Sequence, residues 1–438
     1  MATRKGFSGP RIRLEVRLDA ADAPESLLDW IGCFDVPERF YFSGKEGDYE
    51  VAGLAAAEII SDRGTGDADK KLSAIWREHG DALVFGGVSF FSDGPAPGEW
   101  DGFGALRFTL PLVELRKKGG KVRVAVNGLV GDGQSREEAL ALLADRLAAL
   151  DARFRPPCGK ALPAVTADEL IPGREGWDAM VSLALARIGA QEMEKAVLAR
   201  KRLLSAPGPW PVLPLVRKLF AIRDSSFVFL YQISGDRAFL GRSPERLLRV
   251  NGRSISVDAI AGTRPRGADP ASDQLWEKEL RSSPKECREH GIVSDFIRRR
   301  MEEIAYEAAI LDPGVVQKLQ NVQHIFTRHT GTLRNGRSVL STLRCFHPTP
   351  AVGGHPSEKA LALIRSCEPY ERGWFAAPVG WMDGREADFA VGIRSALVCG
   401  SDLHVYAGAG IVEGSEAEAE WRETEQKMKT VAGISEGC

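Results

Sequence analysis

Cysteine is scarce and unpatterned in this chain. Its 438 residues hold seven, Cys33, Cys158, Cys287, Cys345, Cys367, Cys399 and Cys438, with no CxxC pair. That excludes a zinc ribbon, a thioredoxin-like motif and a disulfide-dense scaffold, and the expectation is reduced thiols in a cytoplasmic protein. No sign of charge dominates: 58 Lys+Arg stand against 60 Asp+Glu, a net −2, so no extended basic surface is available for nucleic acid. No run approaches the ~20 apolar residues that span a bilayer. The opening MATRKGFSGP has neither an apolar secretory core nor an Arg- and Ser-rich transit pattern, so no membrane association is expected. Short-period repeats and low-complexity tracts are missing too. What remains is 44% hydrophobic and 27% charged, ordinary globular composition with material for a large core.

Periodicity gives a coarse layout. RIRLEVRL (11–18) alternates strictly and predicts a half-buried strand with Ile12, Leu14, Val16 and Leu18 on the inner face. Ser135 and Glu138 stand at capping-box spacing, ahead of Leu140, Leu143, Leu147 and Leu150 at helical intervals. The Pro- and Gly-punctuated stretch 155–177 reads as a linker between an N-terminal α+β portion, 1–154, and a larger portion, 178–438. Met180, Leu183 and Ile188 then mark a helix, and SFVFLYQI (226–233) a strand. Residues 272–307 read as helix, broken at Pro284, where a second helix begins near Lys285. Glycine-broken apolar runs at 373–381, 389–398 and 403–412 suggest strands whose ends approach a ligand closely.

Several residues could carry chemistry, and each has a plainer reading. Glu286 and Glu289 share one helix face, as do Glu416, Glu420 and Glu423. Two such faces brought together would suit Mg²⁺; apart, they are solvated helix faces. In AGAGIVEG, Gly408, Gly410 and Gly414 form either a tight turn or an anion cradle, and Glu413 in place of a third glycine argues against a dinucleotide fold. Arg394 follows the apolar FAVGI and needs an anion, either a substrate carboxylate or a structural Asp or Glu. Lys195, directly before AVLA, is a buried functional lysine or a surface strand terminus. His324 reads as a hydrogen-bonded core histidine, and Glu245 as a surface partner of Arg242 or Arg246.

Together, KAVLAR, SPERLL, DAIAGTRPRG, KECREHGIV, HPTPAVGG, GWFAAPVGW, VGIRSA, AGAGIV and EAEWRETEQK, in that order over about residues 190–430, resemble the signatures of the chorismate-utilising enzymes. Within that family the chain is similar to the isochorismate synthases. The resemblance implies one large α+β fold of two face-packed, mostly antiparallel sheets flanked by helices. It implies chorismate as substrate and Mg²⁺ as cofactor, with Glu289 and Glu423 as direct ligands and Glu286 and Glu420 as outer carboxylates. Lys195 matches a general base expected to be neutral, and Glu245 a general acid expected to hold its proton. Arg394, Lys427 and the backbone at Gly408 and Gly410 match a clamp for substrate carboxylates, while Gly262 and His324 match pocket-lining positions.

Ala351 decides the expected subclass. Anthranilate, aminodeoxychorismate and salicylate synthases typically carry threonine there, whereas isochorismate synthases resemble this chain. Phe375 stands where several relatives have tyrosine, leaving carboxylate binding more dependent on Arg394. The resemblance thus implies an isomerase acting for menaquinone supply, as a monomer and without a glutaminase partner. Salicylate synthase, or supply of a siderophore, is the alternative.

Overall fold

The computed structural model describes residues 11–18, 23–62, 67–94, 98–151, 161–222, 224–319 and 322–436. Its elements run β1 (Arg11–Leu18), α1 (Leu27–Gly32), β2 (Arg39–Ser43), β3 (Tyr49–Ser61), α2 (Asp67–Glu78), β4 (Val84–Val88), β5 (Leu106–Lys118), β6 (Lys121–Leu129), α3 (Arg136–Asp151) and β7 (Ala167–Ile171). The chain continues through α4 (Arg174–Gly189), β8 (Lys195–Ser205), α5 (Val212–Ala221), β9 (Phe227–Ser234), β10 (Arg237–Ser243), β11 (Arg246–Asn251), β12 (Ser254–Pro265), α6 (Pro270–Ser282) and α7 (Pro284–Ile304). It closes with β13 (Ala305–Lys318), β14 (Val322–Leu333), α8 (Val339–Phe346), β15 (Gly354–His355), α9 (Ser357–Cys367), β16 (Pro378–Met382), β17 (Glu386–Val391), β18 (Ser395–Cys399), β19 (Asp402–Val412) and α10 (Ala417–Glu436). No helix among the described residues is long and apolar enough to cross a membrane.

The strand pairs are antiparallel and form two wings. One runs β7–β8–β19–β18–β10–β9–β2–β3–β5–β6–β1. The other leaves β5 through β4 and runs β16–β17–β11–β12–β14–β13. The expected pair of sheets is therefore one network folded at β5. Period-2 alternation sorts the side chains of the first wing. Phe40, Phe42, Phe227, Phe229 and Phe239 point into the core shared by the two wings. Tyr41, Val228, Leu230 and Leu240 point to a second core beneath α1, α3, α5 and α10. A third, smaller core packs α4 and α9 on β8 and β19.

Several local expectations are corrected. β1 forms, but Leu14 and Val16 are 50% and 60% exposed. Ile12 is buried as expected and Leu18 packs against the same core, while on the other face Arg11 meets Glu58 and Arg13 meets Glu114 and Glu15 and Arg17 stay exposed. The capping box holds, since Glu138 N–H donates to Ser135 Oγ and Ser135 N–H to Glu138 Oε2; Leu140 on that helix is exposed, as is Leu183 on α4. Of the stretch read as a linker, residues 155–160 lie outside the described residues, as do Cys158 and Cys438. Ala167–Ile171 pair with β8, and a helix begins at Arg174. Ala305 starts a strand rather than ending a helix, because pairing with β14 overrides the helical propensity of AYEAA. Residues 373–377 form a turn ahead of β16.

Candidate active site

Strand β8 carries the first candidate residue. Lys195, Val197 and Ala199 alternate onto one face, while Ala196 and Leu198 enter the small helix-covered core. Lys195 is fully buried, and its Nζ lies 2.8 Å from Glu289 Oε1 on α7. That excludes a surface strand terminus. Glycine is required opposite it: a Cβ at Gly410 would come 2.4 Å from Glu289 Oε1 and 3.0 Å from Lys195 Cε. Gly408 and Gly410 thus belong to neither a turn nor a loop cradle. They are residues of β19 paired with β8, and Gly410 leaves room for this ion pair.

Glu245 sits between β10 and β11, held by backbone contacts: its carbonyl accepts from Val391 N–H at 3.0 Å, and its N–H donates to Ser243 Oγ at 3.3 Å. The side chain is buried, and the arginines that might have held it at the surface are engaged elsewhere, Arg242 by Asp224 and Arg246 by Asp388. Burial pushes its carboxyl up to about 8, against the pull of Lys195 and Lys45. Lys45 comes from the N-terminal third, where its Nζ lies 3.6 Å from Asp258. No motif marked it, because its neighbours in space are far away in sequence.

Arg394 lies in the turn between β17 and β18 at φ +50°, its carbonyl accepting from Arg242 N–H at 3.0 Å. Its half-buried guanidinium donates to Thr430 Oγ1 at 3.3 Å; among the described residues no carboxylate stands within ion-pair distance. Burial pulls it down to about 10, partly offset by Glu423 and Asp224. One turn of α10 below Glu423, Lys427 donates to Gly408 O at 2.9 Å and pairs with Glu423. Burial works against ionisation of Glu423, but Lys427 outweighs it and holds the carboxyl below its usual range.

His324 Nδ1 meets Thr263 Oγ1 at 3.1 Å and Gly262 O at 3.3 Å, so the hydrogen sits on Nδ1, and buried Nε2 has no partner. Burial, with Arg394 and Lys427 nearby, drives its pKa down to about 3 and keeps the ring neutral. Gly262, at φ +79°, is strained for any side chain, and a Cβ there would press on Glu286 Cβ at 3.2 Å. Ala351 and Phe375 complete the wall; Phe375 stacks on Tyr406 at 5.1 Å, and the Tyr406 hydroxyl donates to Glu99. Arg372, which sequence reasoning missed, donates to Val197 O, Val352 O and Glu368, tying β8 to the loop that carries Ala351. Its position three residues before Phe375 was the available signal.

The acidic faces of α7 and α10 do converge, around Lys285, which feels Glu420, Glu286 and Glu423. Each carboxylate also has its own cation: Glu286 with Arg264 at 2.6 Å, Glu289 with Lys195, Glu420 with Lys285 at 2.7 Å, and Glu423 with Lys427. Among the described residues no three acidic, histidine or cysteine side chains gather at metal-binding spacing. Glu286 uses both oxygens, for Thr263 N–H and Arg264. Glu289 and Glu423 use only Oε1, and both face the pocket.

This fold and pocket define a class. The chain belongs to the chorismate binding enzyme family, which it matches over residues 12–434. It is 35% identical over 413 residues to isochorismate synthase MenF of Bacillus subtilis (strain 168), covering 89% of this chain and 86% of that protein. It is also 35% identical over 359 residues to the salicylate biosynthesis isochorismate synthase of Pseudomonas aeruginosa, covering 79% and 72%. The solved structure of MenF, the menaquinone-specific isochorismate synthase from Escherichia coli, superposes with a TM-score of 0.85 at 26% identity over 99% of this chain and 96% of that one.

Proposed function

We propose that this chain is an isochorismate synthase that converts chorismate to isochorismate, adding water at C2 of the ring and expelling the C4 hydroxyl, in supply of menaquinone. The observation that carries this reading is one pocket lined by a glutamic acid that keeps its proton near neutrality and by a guanidinium that, among the described residues, has no carboxylate within ion-pair distance, with buried Lys195 paired to the lining Glu289.

Lys195 is the base toward the attacking water. Its Nζ is oriented by Glu289 Oε1 at 2.8 Å. Glu245 donates its proton to the departing hydroxyl, and its burial is what keeps that proton available. Arg394 and Lys427 hold the substrate carboxylates. Beyond Tyr406, where the β18 ladder ends, the 407–410 backbone lines the pocket and supports the same clamp. His324 offers Nε2 as an acceptor. Ala351 presents a methyl group where relatives with other products resemble one another in carrying threonine.

Mg²⁺ would suit the donor set, hard carboxylate oxygens on two facing helices: Glu289 and Glu423 would hold it, each with Oε2 unengaged, and Glu286 and Glu420 would stand outside. When bound it supplies a Lewis acid and a template for the ring carboxylate. The same reading gives a cytoplasmic monomer acting without a glutaminase partner.

The test is to incubate the purified protein with chorismate, with Mg²⁺ or with EDTA, and to resolve the products by liquid chromatography. Isochorismate that needs Mg²⁺, without pyruvate, is the expected result; salicylate with pyruvate above the spontaneous background would make the chain a salicylate synthase. Lys195→Ala should abolish turnover while leaving the circular dichroism spectrum intact, and normal turnover by that variant would refute the assigned base.

A further inference from the structure

Two cavities meet at Arg394. The active-site pocket and a second cavity of about 270 Å³ behind it share Arg394 and Pro244 in their walls. Helix α10 runs past both, with Glu423 and Lys427 facing the first and Thr430 and Gly433 facing the second, a spacing that keeps all four on one side of the helix. The charged lining of the second cavity is Asp224, Arg242, Arg394 and Lys429. Asp224 is tied to Arg242, which leaves a net positive lining of Arg394 and exposed Lys429, neither within ion-pair distance of a carboxylate among the described residues. The carboxylates that act on Arg394 lie on opposite sides of it, Glu423 in the pocket and Asp224 in the second cavity. A low-dielectric passage lined by cations concentrates anions at its inner end.

We propose that this second cavity is the corridor through which the dianionic substrate reaches the pocket, with Lys429 at its mouth and Arg394 at its inner end. The inference rests on the chorismate reading above, since that substrate carries two carboxylates. It gives Arg394 a second task, as the charge that draws the anion inward before it clamps it.

Gly433 allows a direct test. Gly433 lines the corridor and a Cβ built there meets nothing within 4 Å, so a side chain can be added at its wall, and the helix loses a glycine. Chorismate is rapidly mixed with the Lys195→Ala protein, which does not turn it over, and the association and dissociation rates are read from the binding transient. Adding Gly433→Trp is expected to slow both by about tenfold or more with Kd unchanged, the signature of a blocked route rather than a lost contact. Gly433→Ala should match the parent. Lys429→Glu should slow association severalfold at low salt, the deficit closing at about 0.5 M salt.

Parent-like rates for Gly433→Trp would overturn the corridor, and so would a raised Kd at an unchanged association rate. If the Lys195→Ala parent binds no chorismate, the functional reading itself fails and takes the corridor with it. That failure is recognisable because it does not depend on position 433.

Discussion

At Glu245 a carboxyl is kept neutral chiefly by burial, with the Asp258 charge adding to the upward push, and among the described residues no side chain hydrogen-bonds to it. As a general acid it must be protonated, so kcat/KM should fall as pH rises through about 8. Glu245→Gln should lower kcat by about 10²–10⁴-fold and remove that limb of the pH profile. The same burial affects stability. Between the ordinary carboxyl pKa and about 8 the folded state holds a proton that the unfolded chain has lost, so the stability Glu245 contributes is present at low pH and lost as pH rises through that window. Thermal unfolding should therefore find Glu245→Gln level with the parent near pH 4 and more stable by about 2–4 kcal/mol above pH 8. Gly410 works through space rather than charge. Gly410→Ala should push the Glu289 and Lys195 ends apart and lower kcat at least tenfold, with the melting temperature little changed because the clash falls on flexible side-chain ends.

Ser283 ends α6 and starts α7, and its Oγ accepts from Glu286 N–H. Ser283→Ala should cost about 1 kcal/mol in urea unfolding, the usual value of an N-cap, and should raise the Mg²⁺ needed for half-maximal activity because Glu286 loses its anchor. This break was legible beforehand, since proline at 284 cannot continue a helix and serine before it caps the next. The capped helix at 136 was legible for the same kind of local reason. Strand β13 was not, because its pairing with β14 is non-local, and nor was the exposure of Leu14 and Val16 on β1 or the pairing of its arginines with carboxylates on β3 and β5. The candidate site followed the same rule. Lys195, Glu245, Arg394 and Lys427 stand in local motifs, whereas Lys45 and Arg372 act on the site from positions only the fold brings near.

The whole molecule is held together by strands that cross its sequence halves. β2 pairs with β9 and β4 with β16, so the first 151 residues supply part of the sheet on which the pocket is built. A fragment of residues 178–438 should accordingly be insoluble or molten alone. Co-expression with residues 1–151 should restore a soluble, chorismate-converting complex, read by size-exclusion chromatography and product formation. Should the fragment prove monomeric, cooperatively folded and active alone, this account of the shared core would be wrong. The β4–β16 ladder also sets an order of events on the ribosome. β16 emerges about 290 residues after β4, which at 5–20 residues per second is about 15–60 s later. Throughout that interval the nascent chain carries an unpaired strand edge and half of an aromatic core, a natural client for a chaperone. The segment that closes this edge comes from the same last third that carries Arg394 and Lys427, so the newborn protein stops being a hazard at about the moment it becomes able to work.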